Sequence, residues 1–259
     1  MDLGLKDRVA IVAAASEGMG KAIAQGFARE GAKVAICARN AATLEKTAAE
    51  IGPDVFSKAL DVTDFQAVRD FVRQTHQHFG RIDICLANAG GPPSKPFADT
   101  TIDDWNRAAQ LNLMSTVHFA KETLPLMQQR KWGRFLALTS MTVKQPVEGL
   151  VLSNSIRSAV SGLVKTLSNE YGPDNITVNS VCPGYIATAR LLDLSSTLAA
   201  RHNTTREAIE RQWASQSALR RIGTPEEFAD AVLFLASERA AYITGVNLLI
   251  DGGTVKGVY

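Results

Sequence analysis

The chain has 259 residues, 46% hydrophobic and 21% charged, the composition of a folded globular protein with enough apolar material for a sizeable core. A formal charge of +2 without any run of like charges excludes a nucleic-acid-binding or polybasic membrane surface. The opening residues hold an acid at Asp2 and only a short apolar stretch, Val9–Ala15, so neither a secretory signal nor a span of ~20 apolar residues is expected there.

Short apolar runs at Val9–Ala14, Val34–Ala38, Val55–Leu60, Ile82–Ala87, Phe135–Leu138, Ile176–Val181 and Val246–Ile250 lack polar alternation. Such runs suit parallel strands covered on both faces. Amphipathic stretches separate them, at Gly20–Glu30, Ala41–Ile51, Asp64–Phe79, Ile102–Gln129, Asn154–Tyr171 and Pro225–Ala236. Right-handed crossovers then give a single α/β domain over residues 1–259, a Rossmann-type doubly wound parallel sheet of about seven strands with helices on both faces. Thr224-Pro225-Glu226-Glu227 reads as a helix start, with a cap, a proline at the first helical position and acids in the first turn. Ala189–Leu219 breaks the rhythm; an insertion there would overhang the strands' carboxyl ends as a substrate lid. Cys37, Cys85 and Cys182 each end an apolar run without metal-like spacing, so they read as reduced, buried small hydrophobes, and no metal site is expected. A soluble, cytoplasmic protein acting on a small molecule, with no nucleic-acid or membrane partner, fits this pattern.

After the first apolar run comes Ala13-Ala14-Ala15-Ser16-Glu17-Gly18-Met19-Gly20, opening a helix. A phosphate approaching a helix N-terminus meets unpaired N–H groups and the positive end of the dipole, and it needs residues without side chains to come close. Gly18 and Gly20 supply that, although a tight turn alone would also use them.

This loop resembles the Thr-Gly-x-x-x-Gly-x-Gly loop of the short-chain dehydrogenase/reductase family, with Ala13 and Ala14 replacing the Thr and the first Gly. The likeness continues through Asp61-Val62, Asn88-Ala89-Gly90, Asn112, the Pro183-Gly184-Tyr185-Ile186-Ala187-Thr188 segment, Arg221–Glu227 and Ile243-Thr244-Gly245 with Asp251-Gly252-Gly253. In general likeness the chain is similar to β-ketoacyl-carrier-protein reductases. The resemblance implies cofactor binding by Ser16, Gly18, Met19, Gly20, Asp61, Val62, Asn88, Ala89, Gly90, Pro183, Gly184, Ile186 and Thr188. It also implies a homotetramer or homodimer packing the two long helices. Arg39, at the end of the second run, stands where the adenosine ribose 2′ position would lie. An arginine there can pair a 2′-phosphate, which favours NADP, whereas Glu17 argues for NAD; otherwise Arg39 is a solvated surface residue.

The reductases of that family use a serine, a tyrosine thirteen residues later and a lysine four beyond. Ser140 takes the serine position, and the register, secured by Ser158–Leu163, puts Ser153 and Arg157 at the other two. A phenol of pKa ~10 can be tuned to work as a general acid, whereas an aliphatic alcohol is far less acidic and an arginine holds its proton. Ser153 and Arg157, four apart, share a helix face and could act on one ligand together. Ser153 would equally serve as the N-cap of a helix beginning near Asn154. Catalytic roles are expected for Ser140, Ser153, Arg157 and Asn112, with Tyr185 and Lys144 as substitute proton donors. Glu148 sits on the same loop as Lys144, and His202 in the lid faces water. The pattern supports an NAD(P)-dependent carbonyl/alcohol oxidoreductase with a remodelled proton donor. The alternatives are a lyase, isomerase or dehalogenase-like enzyme on the same scaffold, and a catalytically weak nucleotide-binding protein.

Overall fold

The computed structural model describes residues 2–258. Seven strands, β1 (Val9–Ala13), β2 (Lys33–Ala38), β3 (Phe56–Ala59), β4 (Ile84–Ala87), β5 (Gly133–Leu138), β6 (Ile176–Pro183) and β7 (Asn247–Ile250), form one sheet in the order β3-β2-β1-β4-β5-β6-β7. All pairs are parallel, in the register Ala10↔Val34, Ala10↔Ile84, Cys85↔Phe135 and Val181↔Leu248. Helices α1 (Gly18–Arg29), α2 (Ala41–Ile51), α3 (Phe65–Phe79), α4 (Ile102–Ala108), α5 (Ser115–Gln129), α6 (Val151–Tyr171), α7 (Ala189–Arg201), α8 (Arg206–Gln216) and α9 (Pro225–Ala236) complete it.

Alternate strand residues feed two cores. Ala10, Val12, Ile36, Leu86 and Leu136 pack with Phe27 of α1 and Phe228 of α9 on one face. Ile11, Ala35, Cys85 and Phe135 pack with Phe71 of α3, Phe119 of α5 and Val164 of α6 on the other. Burial on both faces is why the strands read as unbroken apolar runs. The three cysteines are free and buried. The chain leaves β1 toward β2 and β3, then returns to the opposite side at β4. The crevice at the carboxyl ends of β1 and β4 is therefore the switch point where such sheets bind ligands.

The helical pattern over Ile102–Gln129 predicts one helix, but a π-helical segment at Ala109–Met114 interrupts it. Periodicity does not reveal that extra residue in the turn, which moves Asn112 onto a new bearing. The long helix after β5 starts at Val151, three residues before the expected Asn154.

Candidate active site

The N-terminus of α1 is set in a loop built for close approach. Its N-cap, Glu17, makes no capping hydrogen bond through its side chain, unlike those of α2 and α3, which Asn40 and Asp64 cap, and its first turn has no acid. The leading N–H groups of α1 are thus not covered by a capping side chain. A Cβ on Gly20 would stand 2.4 Å from the Ala14 carbonyl oxygen, so only glycine fits. Ala14 itself has φ 49°, the left-handed region where a methyl is strained. The Asn88 side-chain amide donates to Ala13 O and Ala14 O at 3.1 and 3.3 Å, tying β4's end to this loop. Thr47 donates its hydroxyl to Ser16 O at 2.8 Å, while Met19 packs against the core. Asn112 donates to Gly90 O at 2.7 Å, and its own Oδ1 is buried without a partner among the described residues.

Along the crevice, Arg39 is exposed at the end of β2. Partial burial opposes ionisation of Asp61, yet Thr63's amide and hydroxyl, helped by the Arg39 charge, hold that carboxyl below its ordinary pKa. Val62 is buried beside it, its carbonyl 3.1 Å from His118 Nδ1. On the opposite bank, Gly184 donates to Ile250 O at 3.0 Å, and a Cβ there would come within 2.7 Å of Asp251. Pro183 ends β6, Ile186 bridges to Gly223, and the Thr188 hydroxyl caps α7 by accepting from Leu191 N at 3.3 Å. Ala89 packs against the α3/α5/α6 core.

The expected chemical residues meet at the end of β5. Ser140 Oγ accepts from Thr142 N at 3.2 Å, and Thr142 Oγ1 lies 3.4 Å from Ser153 Oγ, a long contact between buried hydroxyls. The Ser153 capping expectation fails: Leu150 precedes the first helical residue, and Ser153 is the third. Its backbone is therefore already helical. Asn154 instead secures this helix start, accepting from Val147 N at 3.3 Å and donating to Val147 O at 2.9 Å. Arg157 also departs from expectation. Its Nη1 donates to Leu138 O and Thr139 O, both at 2.9 Å, so that nitrogen serves the strand end rather than a ligand. Burial, then the Arg190 charge, pull its pKa down to about 10, which leaves it charged at neutral pH.

Tyr185 is not aimed at this cluster. It stacks on Trp213 at 5.1 Å, donates its hydroxyl to Gln216 at 3.1 Å, and burial raises its pKa. Beyond it opens a cleft of about 1100 Å³ between the 145–150 loop, α7 and α8, with Glu148 and His202 on its walls. The C-terminal segment spans that cleft's edge: Lys256 N donates to Gln145 Oε1 and Nζ to Gln216 O, at 2.9 and 3.0 Å. Sequence reasoning missed Thr142 and Arg190, although each stands two residues beyond a position it singled out. Among the described residues no group of His, Cys, Asp and Glu could hold a metal ion, and no helix is long and apolar enough to cross a membrane.

Residues 13–255 match a family profile described as enoyl-(acyl carrier protein) reductase. The chain is 35% identical over 254 residues to a putative ketoacyl reductase of the monensin polyketide synthase from Streptomyces virginiae, covering 95% of this chain and 96% of that one. The L-sorbose reductase of Gluconobacter frateurii, solved with NADPH and L-sorbose, superposes with a TM-score of 0.94 at 31% identity over 100% of both chains. A 7α-hydroxysteroid dehydrogenase solved with NADH and 7-oxo glycochenodeoxycholic acid gives 0.89 at 32% identity, covering 100% of this chain and 98% of that one.

Proposed function

The chain belongs to the short-chain dehydrogenase/reductase family, and on that premise we propose an NAD(P)-dependent oxidoreductase of a carbonyl or alcohol substrate, in which Ser153 and Arg157 replace the family's tyrosine and lysine. The observation that carries this reading is the α1 N-terminus without a capping side chain, with Gly20 pressed against Ala14 O at the switch point of the sheet. That cradle fits a diphosphate, which needs N–H donors and no intervening side chain. NADP is the cofactor, NAD the alternative, as the NADPH and NADH of the two solved relatives support. None of the relatives named above is a dehalogenase, lyase or isomerase.

Ser16, Gly18, Met19 and Gly20 would hold the diphosphate, Arg39 a 2′-phosphate, Asp61 and Val62 the adenine. Asn88, Ala89 and Gly90 would line the ribose side, and Pro183, Gly184, Ile186 and Thr188 the nicotinamide side. When bound, the cofactor supplies or accepts the hydride, and the protein positions and polarises. Ser140 Oγ accepts from Thr142 N, which leaves its O–H to donate toward a carbonyl oxygen; Ser153, backed by Thr142, offers a second hydroxyl. Arg157 fixes the carbonyls of Leu138 and Thr139 and so the end of the strand that presents Ser140. Asn112 braces Gly90 from the π segment. The substrate enters under residues 189–219, which act as the lid. The protein works in the cytoplasm, as the reduced, buried cysteines support, and as a homotetramer or homodimer, as the family resemblance supports.

Calorimetric titration with NADPH and NADH, followed by a panel of carbonyl substrates, tests the reading. Arg39→Ala is expected to weaken NADPH by roughly tenfold or more, the loss of a charge-assisted contact of about 1.5–3 kcal/mol, and to leave NADH nearly unchanged. Equal losses for both cofactors would remove the 2′-phosphate assignment; binding of neither would remove the oxidoreductase.

A further inference from the structure

The first turn of α7 lies across the nucleotide crevice. On one bank Thr188, its N-cap, holds Cγ2 only 3.2 Å from where a Gly18 Cβ would stand. On the other bank Arg190 lays its guanidinium over the segment that follows β4. A Cβ on Gly91 would be 2.6 Å from Arg190 Nη2 and 3.1 Å from Cζ, and one on Gly90 would be 3.7 Å from Nη1. Three consecutive residues, Thr188 to Arg190, therefore span from the phosphate-binding end of α1 to the glycines beyond β4.

Arg190 is exposed in the crevice, and its side-chain hydrogen bond among the described residues is a 3.3 Å donation to Pro92 O. A lone neutral carbonyl at that distance is a weak partner for a five-donor fork that matches oxyanions bidentately. After burial, Arg190 is the main cause that lowers the Arg157 pKa, and neither arginine takes part in an ion pair among the described residues. Two guanidinium groups close enough to oppose one another's charge, with no ion pair of their own among the described residues, make a positive field that an anion at Arg190 would relieve.

We propose that Arg190 clamps the cofactor, leaving Pro92 O to grip the diphosphate bridge from the α7 side, opposite the α1 N-terminus. The inference rests on the nucleotide reading above. The bridge is favoured over a substrate anion because Thr188 and Arg190 straddle the two glycine segments between which a dinucleotide passes.

The test measures dissociation constants by calorimetry for NADPH, for 2′-phospho-ADP-ribose (the bridge without nicotinamide) and for 2′-AMP (no bridge). Melting temperatures of the free proteins check folding. Arg190→Met is expected to weaken NADPH and 2′-phospho-ADP-ribose together by roughly 10- to 100-fold while 2′-AMP is unchanged, with Arg190→Lys between. Unchanged affinity of Arg190→Met for both bridged ligands overturns the clamp. So does an unchanged NADPH affinity combined with a raised KM for carboxylate-bearing keto substrates alone, which would hand Arg190 to the substrate. Failure of the wild-type protein to bind any of the three, or NADH, would instead strike the nucleotide reading itself.

Discussion

Single residues set the character of both ends of the crevice. Ala14 occupies the left-handed region at φ 49°, and its carbonyl supports both Gly20 and Asn88. A non-glycine residue there costs about 1–2 kcal/mol, while glycine's extra freedom in the unfolded chain costs about 0.5–1 kcal/mol, so the balance is neutral to modestly in glycine's favour. Ala14→Gly should keep the fold and leave cofactor affinity unchanged or slightly improved; a loss beyond about tenfold (~1.4 kcal/mol) in calorimetry would mean the loop is built around the methyl. The proposed role of Ser153 and Arg157 gives a sharper contrast. Ser153 is nine-tenths buried against Thr142, so a tyrosine must turn its ring into the cleft. Ser153→Tyr with Arg157→Lys should create or raise carbonyl reduction, by up to ~10²–10⁴, the share a positioned general acid supplies. Steady-state turnover of β-keto and α-keto substrates checks it. A wild type at an ordinary kcat of about 10 s⁻¹ and indifferent to Ser153→Ala would show that Ser153 does not govern the chemistry.

At the level of elements, helix starts decide where the chemistry sits. The Thr224 cap of α9 is reciprocal: Glu227 N donates to the Thr224 hydroxyl at 3.2 Å, and Thr224 N to Glu227 Oε2 at 2.9 Å. Arg221 adds a bidentate pair, one contact at 2.7 Å, and this partner first, then the Thr224 amide, pulls the Glu227 carboxyl down to about 2. A carboxyl depressed on folding contributes stability that is complete above its unfolded pKa of about 4.3 and lost as pH falls toward the folded value. Thermal melts of Glu227→Gln against wild type should therefore show a constant gap above about pH 5 that closes toward pH 2. A gap independent of pH would mean that the carboxylate's charge contributes nothing. The π segment works differently, since its register shift turns Asn112 to brace Gly90, and no cap or proline marks it in the sequence.

Across the whole molecule, the sheet order puts four separated segments around one crevice. Residues 13–20, 88–91, 138–157 and 183–190 are distant in the chain, yet parallel strands with right-handed crossovers bring all their carboxyl ends to one edge. Close approaches line that crevice: Gly20 on the Ala14 backbone, Gly184 on Asp251, and Gly91 beneath the Arg190 side chain, which joins the second segment to the fourth. The cleft beyond is closed by parts from three places, the 145–150 loop, α8 and the C-terminal Lys256.

The sequence by itself determined the strands, most helices and the glycine loop that opens α1. Apolar runs such as Val9–Ala14 and caps such as Thr224-Pro225-Glu226-Glu227 are local devices, and their physics needs no distant partner. Gly18 and Gly20 were legible for the same reason, because a missing side chain is visible wherever it stands. Tertiary structure alone decided which donors are already spent. Arg157 had the right place on its helix, but Leu138 O and Thr139 O reach its Nη1 only once β5 packs beside α6. Tyr185 had the right segment, but Gln216 takes its hydroxyl from α8. Thr142 and Arg190 gain meaning only from neighbours 11 and 98 residues away. Side-chain hydrogen bonding is set by what folding brings within about 3 Å, and local periodicity carries no information about that partner.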